Sequence, residues 1–269
     1  MNEGVSGIFL FGSFFLIYGL EYLFPLTSGK RDHFWTNVGC ALLVFALNIA
    51  STSATLTVAE WVAANRIGLL HFIKMPFWLA IIISIVFLDL WAGYLPHLLM
   101  HRVVFLWHFH SIHHSDDHVD VTTTFRKHPV ESMVGILFNL IGMIILGLSA
   151  WMLLIYLTLS TLHAQIGHAN ISISSRWDRI LQRVLVTPNM HKVHHAVSEK
   201  ESDSNFSNIF SFWDRVFRTY RRKKRYSGIR YGLDYIPIGL VKTFWHLLKL
   251  PLTSARLLRA RKSKLRQHP

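Results

Sequence analysis

Residues 131–168 read ESMVGILFNLIGMIILGLSAWMLLIYLTLSTLHAQIGH, and the path of this stretch decides the fold. Ahead of it stand two histidine clusters, His97 with His101 and then His110 with His113 and His114. Behind it stands a third, His191 with His194 and His195. The spacings HxxxH, HxxHH and HxxHH set imidazoles one helical turn apart, so each cluster presents its nitrogens on one helix face toward a metal. Three such clusters in an apolar chain are hard to assign to packing, because a buried neutral imidazole needs a hydrogen-bond partner and a charged one needs more. If the clusters share one site, the apolar stretch between them must leave and return to the same side of a membrane. It is therefore expected to be a hairpin of two short or tilted spans, rising about 1.5 Å per residue and turning near Gly147-Leu148-Ser149.

Composition agrees with a membrane setting. Of the 269 residues 51% are hydrophobic, and the mean hydropathy is +0.32. Apolar stretches at 5–26, 36–58, 70–96 and 131–166 approach or exceed the roughly 20 residues that cross a bilayer core. The first has no basic region before it and no small-residue cleavage site after it, so it reads as an anchor and not as a cleaved leader. Lys30 and Arg31 follow it, which puts that loop inside and the N-terminus outside. The expected fold is all-α: an integral membrane bundle of about four or five spans, made of an N-terminal span and two helical hairpins. A cytoplasmic helical cap over residues 170–235 would supply the third histidine cluster. Residues 236–269 mix apolar and basic side chains, as in Phe244-Trp245-His246-Leu247-Leu248-Lys249, and suit a helix in the headgroup layer. With no internal repeat or linker, residues 1–269 read as a single domain.

The single cysteine, Cys40, excludes an internal disulfide, a CxxC zinc ribbon and an iron–sulfur cluster held by these residues alone. Redox chemistry would need an outside donor. The net charge of +13 sits mostly after residue 175, in Arg221-Arg222-Lys223-Lys224-Arg225 and in the tail from Arg256 to Arg266. Beside membrane spans, basic clusters mark the cytoplasmic face and attract anionic headgroups, and no nucleic-acid recognition motif accompanies them. For the run at 221–225, docking of an acidic electron carrier is the sharper alternative.

Neutral imidazole suits iron, zinc, copper and nickel. A structural zinc takes four protein ligands and a catalytic zinc three. Eight imidazoles are too many for one such ion and enough for two metal ions with positions left for oxygen. No HExxH, GxSxG or phosphate-binding loop offers a competing site.

Taken in order, the motifs resemble the sterol desaturase/fatty-acid hydroxylase family. They comprise His97-Leu98-Leu99-Met100-His101, the run from Leu106 to Ser115, Arg126-Lys127-His128-Pro129-Val130-Glu131, His168-Ala169-Asn170, Thr187 to His195, and Phe212-Trp213-Asp214-Arg215-Val216-Phe217. The likeness covers about residues 85–220. It implies a four-span helical membrane oxygenase with a di-iron centre facing the cytoplasm. Such an enzyme uses dioxygen and external electrons to hydroxylate or desaturate a lipid C–H bond. By the same resemblance His97, His101, His110, His113, His114, His191, His194 and His195 bind two iron ions (Fe2+/Fe3+), joined by His168. His128, in the HPxE motif, is either a tenth ligand or a support that orients one. His163, five residues before His168, points off that helix face, and the family pattern does not require it. Asp89, Asn170 and Asp214 are candidates for hydrogen bonds behind the ligands.

The sequence departs from the family at Leu98 and His108, where arginine is usual, at Phe206-Ser207, where a Tyr-Gly pair is usual, and at Arg218, where glycine is usual. The implied partners are a lipid substrate (fatty acyl, sterol or related), the bilayer, and a separate electron-donor protein of ferredoxin, cytochrome or reductase type. Whether the product is hydroxylated, desaturated or cleaved at an ether is left open by the motifs. The alternative from another class is a zinc-binding structural or metal-transport membrane protein. That reading wants polar side chains along the middle of the spans, and those are largely absent.

Overall fold

The computed structural model describes residues 3–29, 32–226 and 228–267, and among these it is helical, with isolated β-bridges and no named strand. The elements in order are α1 (Glu3–Leu23), α2 (Phe34–Ala64), α3 (Phe77–Leu88), α4 (Leu95–Arg102), α5 (Val104–His114), α6 (Pro129–Leu146) and α7 (Ala150–His168). The cap follows, with α8 (Ser175–Leu181), α9 (Pro188–His194), α10 (Glu199–Ser202) and α11 (Phe212–Val216), and the chain ends in α12 (Phe244–Gln267). Four helical stretches are long and apolar enough to cross a membrane: Phe34–His71, Phe77–Arg102, Pro129–Leu146 and Ala150–His168. The helix at Gly7–Leu23 is apolar but shorter, which accounts for an expectation of four or five spans. Lys30 and Arg31, on which the N-out reading rests, lie outside the described residues.

The hairpin turns where the sequence placed it. Gly147 takes a left-handed φ of 79°, and its N–H and that of Leu148 both reach the Met143 carbonyl (2.8 and 3.0 Å), closing α6. Ser149 then opens α7, its Oγ accepting the Met152 N–H. The turn is seated against a second glycine. Gly68 has φ 103°, and a Cβ there would run into the backbone of Gly147, while one on Gly147 would lie 2.5 Å from the Ile67 carbonyl oxygen. Gly68→Ala combines left-handed strain with that clash and is expected to destabilise the bundle by roughly 2 kcal/mol or more. Thermal unfolding in detergent checks this, and a Tm equal to the parent's would refute the close contact.

The span starting at Phe77 runs further than its apolar stretch, through both histidines of the first cluster to Arg102. Between α3 and α4 it widens into a π turn over Asp89–Tyr94. Pro96 at the start of α4 supplies the reason: it has no N–H for the carbonyl four residues back and its ring crowds that carbonyl, so the preceding turn opens.

Helix α2 lies along α6, α1 along α7, α9 against the end of α7, and α12 across α5. One core joins α2, α3, α6 and α7 through Ala59, Leu88, Met143, Leu146, Met152 and Tyr156. A second joins α2, α5 and α12 through Cys40, Ile112, Leu247 and Leu250. Meanwhile Phe9, Phe15, Trp35, Phe45, Trp61 and Trp78 stand outward. So much exposed ring surface is what a lipid-facing bundle keeps.

Candidate metal centre

Four elements carry imidazoles to one place: α4 (His97, His101), α5 (His110, His113, His114), the last residue of α7 (His168), and α9 with its C-cap (His191, His194, His195). They form two groups, His97, His101, His110, His114 and His194 in one, and His113, His168, His191 and His195 in the other. Within each group the available ring nitrogens all lie within 4.8 Å of one another. In the second group the Nε2 atoms converge, His168 to His113 and to His191 at 3.0 Å and His195 to both His168 and His191 at 3.2 Å. In the first, His101 Nε2 meets His114 Nε2 at 3.1 Å. The two groups adjoin, the rings of His114 and His195 stacking at 4.7 Å.

The far nitrogens settle which atoms are free to ligate. His97 Nδ1 donates to the Phe206 carbonyl (2.8 Å), His194 Nδ1 to that of Ser204 (2.7 Å), and His168 Nδ1 to that of Ala164 (2.7 Å). A carbonyl can only accept, so each of these rings carries its proton on Nδ1 and turns a lone pair at Nε2 into the cluster. His97, His110 and His194 have buried Nε2 atoms without a hydrogen-bond partner, and so does Nδ1 of His113 and of His195. Burial, followed by the neighbouring imidazoles, holds His113, His114, His191, His194 and His195 well below the usual histidine range. Imidazoles that turn unshared lone pairs toward common points are groups that could hold metal ions.

His110 is oriented differently, by the Glu131 carboxylate 3.1 Å from its Nδ1. Glu131→Gln takes away the carboxylate charge beside this nitrogen and is expected to weaken metal binding by about 10- to 100-fold, measured by chelator competition. Undiminished affinity would remove Glu131 from the site.

Other candidates lie elsewhere. His128 stands outside both groups. Its Nδ1 accepts the Val130 N–H (3.1 Å), capping α6, and its ring rests on Phe109; it supports the helix that carries Glu131. His163 meets the Val186 carbonyl at 2.9 Å, and His108 meets Ser254 Oγ at 3.0 Å under α12. His33 lies between Asp116 (3.3 Å) and Asp120 (3.2 Å). Burial opposes its charge, but the Asp120 bond and the two carboxylates outweigh burial and raise its pKa, so this group is an ion pair. Asn170 ties the loop after α1 through Thr27, and Asp89 accepts the backbone N–H groups of Ile209 and Phe210 and the Trp213 indole. Asp214 does sit behind the converging histidines: it accepts from the N–H groups of Phe206 (2.8 Å) and Ser207 (3.1 Å), fixing the segment whose carbonyls hold His97 and His194.

A family model described as fatty acid hydroxylase matches residues 81–219, more than half of the chain and all nine converging histidines. The chain belongs to the fatty acid hydroxylase family. Similar curated proteins include an ornithine lipid hydroxylase, OlsE, of Rhizobium tropici (28% identical over 52% of this chain and 41% of the relative). Alkylglycerol monooxygenases of Caenorhabditis elegans (27% identical; 52% and 27%) and Danio rerio (27% identical; 63% and 36%) are also similar. The matched regions span less than half the length of these relatives. No solved structure matches the chain. Two departures of this fatty acid hydroxylase family member now have a structural reading. Arg218 has φ 60°, the left-handed conformation that makes glycine the usual residue there. Phe206 is wholly buried, its ring 5.0 Å from that of His101 and 5.7 Å from those of His97 and His194, an apolar wall on three of the converging imidazoles.

Proposed function

We propose that the chain is a multi-pass membrane oxygenase. Its two histidine groups would hold two iron ions, and it would hydroxylate an acyl or alkyl C–H bond of a membrane lipid on the cytoplasmic face, with electrons from a separate protein. The observation that carries this reading is the doubled, adjoining set of imidazoles. One structural zinc would use four of them, and nine were brought together.

His97, His101, His110, His114 and His194 would hold one ion, and His113, His168, His191 and His195 the other. Bound there, the iron pair supplies the chemistry that puts one oxygen atom of O2 into a C–H bond while the other leaves as water, taking up two electrons and two protons. The carbonyls of Phe206, Ser204 and Ala164 keep three ring protons on Nδ1 and the ligand lone pairs in place. Phe206 excludes water from one side. A lipid substrate is favoured because the site lies at the ends of membrane-long helices, and because the relatives named above act on lipids by name. Cytoplasmic exposure is favoured by the basic run at 221–225, which follows the cap.

The test is metal analysis and lipid mass spectrometry together. Protein from iron-supplied cells should carry about two irons per chain. Lipids of the expressing cells grown under 18O2 should gain a single 18O, and a His113→Ala, His114→Ala variant should lose both signals. Zinc alone, retained after iron(II) reconstitution and with no labelled lipid, would overturn the reading in favour of a structural or transport role.

A further inference from the structure

We propose that Arg221, Arg222, Lys224 and Arg225 form the docking face for an acidic one-electron carrier protein, joined to the five-histidine group through Asn205; this rests on the oxygenase reading above. The run is exposed except for Lys223, which pairs with Glu201 at 2.7 Å. Other carboxylates of the cap are also matched, Asp203 by Arg102 (3.0 Å) and Asp234 and Glu199 by Arg261 (3.1 and 3.5 Å), so the face keeps its positive charge.

Beneath the run lies a direct structural link. His194 and His97, both of the five-histidine group, donate to the carbonyls of Ser204 and Phe206. The residue between, Asn205, is wholly buried and left-handed (φ 57°). Its Oδ1 accepts the Arg221 N–H (2.8 Å), and its Nδ2 donates to the Arg221 carbonyl (2.8 Å) and to that of Met190 (2.9 Å). One side chain thus separates the first basic residue from the peptides that grip two ligands. Hydrogen bonds this short couple the surface backbone to the imidazoles.

A protein partner is favoured over lipid headgroups by what the run lacks. The run itself, Arg221 to Arg225, holds no apolar side chain, and the exposed ones nearest in sequence, Val216 (63%) and Phe217 (45%), precede it at the end of α11, whereas α12 interleaves Trp245 (69% exposed) and Leu252 (77%) with the exposed Lys249, Arg256 and Arg259. Apolar anchors with basic neighbours suit a bilayer surface, and charge without anchors suits a transient, electrostatically guided protein encounter. Each hydroxylation consumes two electrons, so a carrier oxidised by one electron docks twice per turnover, and the two protons come from water.

The experiment uses the full chain in nanodiscs and an acidic plant-type [2Fe–2S] ferredoxin as probe. Binding to the zinc-loaded chain is measured, as is reduction of the iron-loaded chain by ferredoxin and, separately, by dithionite. R221E/R222E/K224E/R225E should weaken ferredoxin binding and slow ferredoxin reduction by about tenfold or more, with dithionite reduction unchanged. The neutral four-glutamine counterpart should fall between, and K249E/R256E/R259E on α12 should stay within about twofold. Equal effects of the two charge reversals, or no effect of the first, overturn the proposal. So does ferredoxin binding that follows the anionic lipid content of the nanodisc and ignores the run. If the wild type gains nothing from dithionite and dioxygen, it is the oxygenase reading that fails, and the zinc-loaded binding result still decides the docking face.

Discussion

Alanine at His194 is expected to empty one metal position and lower turnover by more than about 100-fold, beyond the effect of removing an outer partner. Alanine at His191 should do the same at the other position. The two histidines are on one short helix, yet they belong to different groups, so the pair of variants would test the two proposed ion positions separately. In the first case a lone pair is lost from a set of five and the Ser204 carbonyl loses its donor; in the second, a set of four loses the ring whose Nε2 lies 3.0 Å from that of His168. Iron should drop from about two to about one per chain in each, and the exposed His246→Ala should change neither iron nor turnover. Full iron content in His194→Ala, with a parental Tm, would sink the assignment of that ligand.

Arg126→Met is expected to be the most destabilising single change away from the histidines. The guanidinium is 1% exposed and gives four hydrogen bonds, from Nε to the Ile112 carbonyl (3.0 Å), from Nη1 to Asn37 Oδ1 (3.0 Å), and from Nη2 to Ser115 Oγ (3.0 Å) and the Val241 carbonyl (3.1 Å). It therefore ties α2, α5 and the segment entering α12 in one stroke. Methionine fills much of the space but leaves those acceptors dry and unpaired and deprives the buried Asp116, bonded through Asn37, of a nearby positive charge. Breaking a buried charged network by removing one partner costs about 3–5 kcal/mol. A fall in Tm of about 10 °C is the expected reading, against a degree or two for the exposed Arg221→Met. Since Ile112 sits between His110 and His113, metal affinity should weaken with it. A loss below about 1 kcal/mol would show that the network is redundant.

The parts of this molecule that the sequence revealed are those with a period or a punctuation mark. Apolar runs of span length, Gly147 followed by Ser149, and histidines at turn spacing each point to one local outcome, and the structure has them there. The two-group partition was not legible, because HxxHH puts neighbours His113 and His114 on rings that diverge to different groups. Nor were the supports. The groups that set the tautomers of His97 and His194 are main-chain carbonyls, which every residue has, and Asn205 and Arg126 act through contacts more than fifteen and a hundred residues distant. His128 belongs to a motif that names a ligand or a support equally well, and only its bond to Val130 places it as a cap.

The π turn over Asp89–Tyr94 works as a phase shifter. One residue of helix is about 100° of rotation, so the surplus in that turn resets the direction in which everything beyond it faces. Before it, Phe77, Trp78 and Ile82 look outward; after it, His97 and His101 look toward the other imidazoles. Deleting a single residue there would keep the span's length and hydropathy almost unchanged. The chain would still thread the bilayer correctly, with both of those imidazoles swung away from their companions, and a membrane protein sound by every measure of insertion would have lost two corners of its centre.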